Sequence, residues 1–398
     1  MKILHVVDRM DPKAGGVCQA IRTIVDSLSQ LEVISEVVSI DCEASNFKDS
    51  FKIYALGPAN NPWQFSKKLL PWLISNLGNY DSVIIHGMWQ YYGFATYKAL
   101  KERDGDKPLV YLMPHGMLDP YFQNAPDRKL KAIRNRVYWN LIEQHVIKNC
   151  TALLFTCRTE MELARLSFKP YKPKHEKIIG LGIKSPPKCT ESMLNSFYKA
   201  SGLKIDENFI LFLGRIHNKK GLDILIKAYI ELLPVVKLPK LVIAGPGIES
   251  DFGKEIKRLI EKNPQLQSYF IFTGMLVGDS KWGAFYDCET FILPSHQENF
   301  GIATVEALAC GKPVLISNQV NIFHEIQDYD AGLIGADNIA GTKKILQSWM
   351  SLSIEEKRTK GTNAMKCYKE KFTEHTVAKK IIELKNLNYE NSLLEYKF

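Results

Sequence analysis

The stretch Leu293-Pro294-Ser295-His296-Gln297-Glu298-Asn299-Phe300-Gly301-Ile302-Ala303-Thr304-Val305-Glu306-Ala307 runs from an apolar segment through a polar loop into a helical pattern. Residues 290–293 predict a buried strand, and 303–309 predict a helix. Glu298 and Glu306 stand with seven residues between them, one before the helix start and one about a turn inside. Unpaired backbone N–H groups and the positive end of the helix dipole would lie between the two carboxylates, a cradle for a diphosphate. Carboxylates also suit polyols, because each accepts hydrogen bonds from neighbouring sugar hydroxyls. On spacing alone such a pair is the acidic first turn of a solvated helix. The flanking residues change that balance.

The same alternation of short apolar runs and amphipathic stretches extends outward in both directions. Strands are expected at 2–7, 33–40, 82–86, 109–114 and 152–156, then at 209–213, 240–244, 269–273, 290–293 and 313–316. Helical patterns fall at 17–28, 128–148, 222–233, 253–261 and 303–309, and the chain after Gly341 reads as helical to its end. This is the βα rhythm of parallel sheets. Gly180, Gly182, Pro186 and Pro187 punctuate a linker between two such series. The fold class is therefore α/β, with two doubly wound domains and a helical tail. Ligands in such sheets bind beyond the carboxyl ends of the strands.

Composition agrees with a folded chain too long for one core: 398 residues, 45% hydrophobic and 24% charged. The first apolar run is too short for a signal peptide, and no later one predicts a transmembrane helix. The eight cysteines are scattered without metal-ligand spacing, which reads as reduced thiols in the cytoplasm. Residues 1–185 hold 25 Lys and Arg against 18 Asp and Glu, a net of +7 out of +9 for the chain. That excess fits anionic lipid, a phosphorylated acceptor or nucleic acid, and equally a surface made basic for solubility.

Three further motifs accompany the Glu pair in order: Phe212-Leu213-Gly214-Arg215-Ile216-His217-Asn218-Lys219-Lys220-Gly221, Val242-Ile243-Ala244-Gly245-Pro246-Gly247 and Phe272-Thr273-Gly274-Met275-Leu276. Together the four resemble glycosyltransferase family 4, whose signature is the Glu-x7-Glu element. The resemblance implies the GT-B fold, two Rossmann-like domains facing a central cleft, and retaining transfer of a hexose-type sugar from a nucleotide diphosphate sugar. It divides the chain into an acceptor domain, 1–185, a donor domain, 186–370, and a C-terminal helix, 371–398, returning to the first domain. It also implies roles. Arg215 and Lys220, after the strand and Gly214, would hold the donor diphosphate and stabilise its developing charge, work that other transferases give to a metal. No Asp-x-Asp motif suits a metal here, so neither metal nor cofactor is expected. Glu306 would hold the ribose and Glu298 the transferred sugar. Asn299, Phe300, Gly301 and Ile302 would offer backbone N–H groups, Thr304 would reach a phosphate oxygen or serve only the helix face, and Gly274, Met275 and Leu276 would line the base.

In the first half, Gly15-Gly16 after the first strand resembles the family's loop near the reaction centre, although by itself it reads as a tight turn. Met113-Pro114-His115-Gly116-Met117-Leu118-Asp119-Pro120 resembles an element of the branch associated with bacterial surface polysaccharides, lipopolysaccharide included. There His115 would contact the donor sugar, while Asp119 would bind acceptor or cap the next segment. Trp89, after the preceding strand, is an acceptor candidate. Residues 128–139 and 62–73 mix basic with apolar residues and read either as helices resting on an anionic membrane or as ordinary amphipathic helices on the sheet. The expected partners are thus a nucleotide sugar and a saccharide or lipid-linked saccharide, at the inner face of the membrane, with no nucleic acid. A GT-B epimerase or hydrolase and a decayed nucleotide-sugar binder are the alternatives. A dinucleotide fingerprint is absent, since Ser250 stands where its third glycine belongs.

Overall fold

The computed structural model describes residues 1–12, 15–45, 47–59, 61–125 and 128–387; Lys13 and Ala14 before the Gly15-Gly16 pair and residues 388–398 of the expected C-terminal helix lie outside them. Among the described residues the chain forms two compact units, one of residues 1–182 with the segment from Glu374 onward, the other of residues 183–373. The chain crosses between them at 182–183 and 373–374, against the expected 185–186 and 370–371. The two crossings run side by side, with Ile183 bridged to Thr373.

In the first unit the strands are β1 (Lys2–Val6), β2 (Ile34–Cys42), β3 (Ile53–Gly57), β4 (Ser82–His86), β5 (Leu109–Met113), β6 (Ala152–Phe155) and β7 (Glu176–Ile178). They form one parallel sheet in the order β3-β2-β1-β4-β5-β6-β7. The second unit holds β8 (Phe209–Leu213), β9 (Lys240–Ala244), β10 (Phe270–Gly274), β11 (Thr290–Leu293), β12 (Val314–Ser317) and β13 (Gly332–Gly335), parallel in the order β10-β9-β8-β11-β12-β13. Each sheet reverses its winding once, between β1 and β4 in the first and between β8 and β11 in the second. Such a switch point leaves a crevice beyond the strand ends. These are two Rossmann-like domains of the GT-B type.

Strands that sequence reading missed are β3, β7 and β13, all at sheet edges. An edge strand has one neighbour and half-covered faces, so it carries no continuous apolar run. Every residue of β3 is only partly buried, whereas all of β4 is buried.

Two helical expectations change. The 128–148 pattern is Lys129–Tyr138, a π turn over Trp139–Glu143, and Gln144–Asn149. The 62–73 stretch is helical only from Leu69–Asn76 onward. Gln64 has φ of 54°, and the Asn61 side chain accepts the N–H groups of Trp63 and Phe65 at 3.2 and 3.0 Å, which ties 61–65 into a loop. The last helix, Glu374–Glu383, packs in the first unit against the helix Gly16–Ser29, and the Tyr111 hydroxyl donates to the Leu384 carbonyl at 3.0 Å.

Candidate active site

In the second unit the loops after β8 and β11 meet at the switch point. Pro294 and Gly221 are in close backbone contact: a Cβ on Gly221, whose φ is +66°, would lie 2.1 Å from the Pro294 carbonyl oxygen. His296 N–H donates to the Lys219 carbonyl at 2.8 Å, which fastens the loops together. On the other flank Glu298 exchanges backbone hydrogen bonds with Gln319 and Asn321 at 3.0 and 2.9 Å. Gly301 then turns left-handed, φ 74°, and starts the helix Ile302–Ala309 with no side chain capping its first N–H groups. A β-branched or bulky residue would be strained there.

A cavity of about 620 Å³ opens between these loops, lined among others by Gly214, Arg215, Lys220, Lys281, Glu298 and Glu306. Lys220 and Glu298 are ion-paired across it. On the far wall Lys281, from the helix Gly278–Asp287, pairs with Glu306 at 2.6 Å. Arg215 is exposed. Each carboxylate is thus matched to a lysine, and the lining keeps two further cations, Arg215 and Lys219. Lys281 escaped sequence reading, because its helix carries no motif.

Other expected residues lie around this cavity in different ways. Gly301 and Ile302 line it, and Ile302 opens the helix. Phe300 is buried edge-on against Phe372 at 5.5 Å. The Asn299 side chain accepts from Asn321 at 3.4 Å. Thr304 is fully buried with its hydroxyl unpartnered, directly under Gly301. Gly274 ends β10 at the sheet edge, Met275 and Leu276 follow it, and none of the three contributes to the lining; Met275 is exposed and Leu276 buried.

Residues 196–366 match the family described as Glycosyl transferases group 1. That segment is similar to the group 1 glycosyltransferases. The match contains every cavity residue named above. An uncharacterized glycosyltransferase of Methanocaldococcus jannaschii is 30% identical over 159 residues, 39% of this chain and 40% of that protein. The lipopolysaccharide core biosynthesis mannosyltransferase LpsB of Rhizobium meliloti is 30% identical over 130 residues, 32% of this chain and 36% of its own length. Both alignments therefore span well under half of each relative. The crystal structure of Anabaena HepE in complex with UDP and glucose superposes with a TM-score of 0.70 at 17% identity, covering 96% of this chain and 98% of that one. It shares the fold.

The first unit of this glycosyltransferase-like chain holds the remaining candidates. Gly15, with φ of 106°, caps the helix Gly16–Ser29, and neither glycine's added Cβ would meet an atom within 4 Å. Beyond β5, His115 takes a left-handed φ of 52°. Its ring belongs to a series: His5 Nδ1 lies 2.9 Å from His86 Nε2, and His86 Nδ1 lies 3.0 Å from His115 Nε2. Burial lowers His5 to about 3 and His115 to about 4, and lowers His86 well below the ordinary 6.5 with help from its two neighbours. All three are neutral at pH 7, so each carries one N–H and one lone pair. If the series donated inward from His115, it would end on an N–H at His5 Nε2, which is buried without a partner. Run outward, it ends there on a bare lone pair, the cheaper orphan. His5 thus donates to His86 and His86 to His115, leaving the Nδ1–H of His115 as a donor.

Two buried carboxylates hold the loops around this series. Glu160 accepts from Gly116 N–H at 2.5 Å and Thr156 N–H at 2.7 Å. Glu143, from the π turn, accepts from Trp89 N–H at 2.6 Å, and burial raises its carboxyl to about 7 against that hydrogen bond. Trp89, expected to contact the acceptor, is instead a core residue packed on Phe168 at 5.2 Å. Asp119 accepts from Tyr121 N–H at 2.8 Å and so leads into the short helix Tyr121–Asn124. His5, Glu143 and Glu160 were not picked from sequence, and His86 only as part of the His86-Gly87-Met88-Trp89 stretch at the end of its strand. The available signal was a histidine set inside each of two apolar strands.

Proposed function

We propose that the chain is a retaining, metal-independent hexosyltransferase. It would move sugar from a nucleoside diphosphate donor to a saccharide or lipid-linked saccharide acceptor, in surface polysaccharide assembly on the cytoplasmic side of the membrane. The observation that carries this reading is the cavity at the second switch point, with Arg215, Lys220 and Lys281 facing Glu298 and Glu306 beside an uncapped helix start. The names of partial relatives, LpsB among them, support the polysaccharide context.

In this mechanism Arg215, Lys220 and the first amides of Ile302–Ala309 take the diphosphate oxygens. They stabilise the charge that grows on them as the glycosidic bond breaks. Lys220 leaves its ion pair to do so, and Glu298 turns to hydroxyls of the transferred sugar. Glu306 takes the ribose hydroxyls with Lys281 holding it in place. The acceptor hydroxyl enters on the face from which the phosphate departs, bonds to the anomeric carbon, and passes its proton to the departing phosphate oxygen, so configuration is kept. His115 contributes its Nδ1–H to the donor sugar.

A thermal-shift panel of UDP, GDP, ADP and their sugar conjugates, with and without EDTA, tests the site. A ligand that binds only the native state raises the melting temperature. One nucleotide stabilising the protein equally in EDTA is the expected result. No shift with any of them refutes the donor site, and donor turnover without acceptor replaces transfer by hydrolysis or epimerisation.

A further inference from the structure

The helical stretch from Lys129 to Asn149 packs on the first unit by one side, burying Tyr138, Trp139, Val146 and Ile147. Its outer side carries apolar residues among the polar and basic ones. Leu130, Ile133, Val137 and Leu141 are 84, 63, 53 and 69% exposed. Their spacing of three, four and four places them in one stripe along the helix. Single exposed apolar residues are ordinary on a soluble surface, whereas a contiguous row marks a binding face.

The row continues onto the 61–65 loop. Trp63 and Phe65 are 40 and 46% exposed there; Trp63 stacks on Tyr138 at 5.0 Å and Phe65 meets Tyr91 edge-on at 4.7 Å. Between loop and helix lies a cavity of about 460 Å³ whose walls are aromatic and aliphatic, with Phe94, Tyr138 and Ile142 at its floor. Its lining carries no charged side chain, and the surface it exposes is almost wholly apolar.

Charge identifies the occupant. Lys129, Lys131, Arg134 and Arg136 flank the stripe, Lys67 is exposed beside Phe65, and the Arg134 guanidinium lies 5.8 Å from the Trp63 ring. The one acid of residues 129–149, Glu143, is buried and turned to the Trp89 N–H. A second copy of the chain would bring the same basic rim against this one, at a cost in like-charge repulsion. An anionic bilayer matches every part: aliphatic side chains enter the acyl boundary, aromatic rings sit at headgroup level, and cations reach lipid phosphates. Among the described residues no helix is long and apolar enough to cross a membrane, so the contact is one of surface docking. We propose that this face of the first unit docks on an anionic membrane, with one lipid hydrocarbon chain entering the aromatic cavity. The proposal gives the lipid-linked acceptor of the reading above a place to be met, yet it rests on residues apart from the donor site.

Sedimentation of the full chain with vesicles of phosphatidylcholine, with and without phosphatidylglycerol, is the test. No nucleotide is present, so its failure leaves the transfer reading standing. The chain is expected to sediment with the anionic vesicles only. The exposed pair Val137→Ser and Leu141→Ser should weaken that partition by about tenfold or more, with an unchanged unfolding midpoint. Absence of binding to anionic vesicles overturns the proposal, as does equal binding to neutral ones. Binding that salt abolishes and the double variant leaves intact would mean adhesion by charge alone and would overturn the docked stripe. A dimer in light scattering that the same variant dissolves would assign the face to a second copy.

Discussion

The two switch points of this chain are built from opposite materials. In the second unit the groups are charged, partly exposed and paired across an open cavity, Lys220 with Glu298 and Lys281 with Glu306. In the first they are neutral, three histidines in series of which His5 and His86 are buried and His115 partly so, with loops held by Glu143 and Glu160. Open ion pairs can exchange partners when a ligand arrives, because water offsets the loss of either partner. Buried hydrogen bonds cannot, because each orphaned group keeps its full desolvation cost. One site is arranged to rebind, the other to stay in place.

This contrast predicts that damage to the second site is seen in activity and damage to the first in stability. The largest effect is expected for Lys220→Ala and Glu298→Ala. Each should lower kcat/KM by about a thousandfold while the urea unfolding midpoint stays near that of the unmodified chain. A double variant with full activity would overturn the donor site. Glu160→Ala should cost about 3 kcal/mol in urea unfolding, because Gly116 and Thr156 N–H groups lose a buried acceptor. Glu160→Gln, which keeps one acceptor oxygen, should recover about half of that. If the alanine variant is as stable as the parent, the first site is not rigidly held.

The pH dependence sharpens the comparison. The three histidines have folded values below the ordinary 6.5, so their contribution is complete above that pH. It falls as pH drops from 6.5 towards the folded values of about 3 and 4 for His5 and His115, because only the unfolded chain takes up the protons. The loss per ring is about 1.4 kcal/mol for each pH unit. Glu143 has the opposite sign: its carboxyl is raised to about 7, so it favours the folded state below its ordinary 4.5 and loses that contribution as pH rises through 7. Urea unfolding at a series of pH values should therefore show a rise in stability up to about pH 6.5 that His5→Leu reduces, and an opposing fall between about pH 4.5 and 7 that Glu143→Gln removes. Slopes unchanged in both variants would mean that these groups do not titrate as buried neutrals. The smallest effect is expected at Lys281: Lys281→Met should raise the donor KM by about tenfold and leave kcat nearly unchanged, since it only steadies Glu306.

Legibility followed the same division. Gly214, Arg215, Lys220, Glu298, Gly301 and Glu306 could be picked because they lie in ordered motifs that resemble glycosyltransferase family 4, each in or just after a loop that follows an apolar strand. Met275 and Leu276 belonged to the same motifs, yet β10 is an edge strand and they lie outside the cavity lining. His5 and His86 are 81 positions apart, and Glu160 meets Gly116 across 44. No local pattern announces such pairs.

What the amino-acid order determined by itself is the α/β class, the buried central strands and the loops that follow them. Period and turn chemistry act over a few residues, and burial of central strands on both faces writes a continuous apolar run. Only the tertiary structure decided which strands became edges, that Trp89 turned into the core, that Lys281 reached Glu306, and that Leu130, Ile133, Val137 and Leu141 stayed uncovered. Those outcomes depend on what packs against each side chain from distant parts of the chain, a quantity that local sequence does not carry.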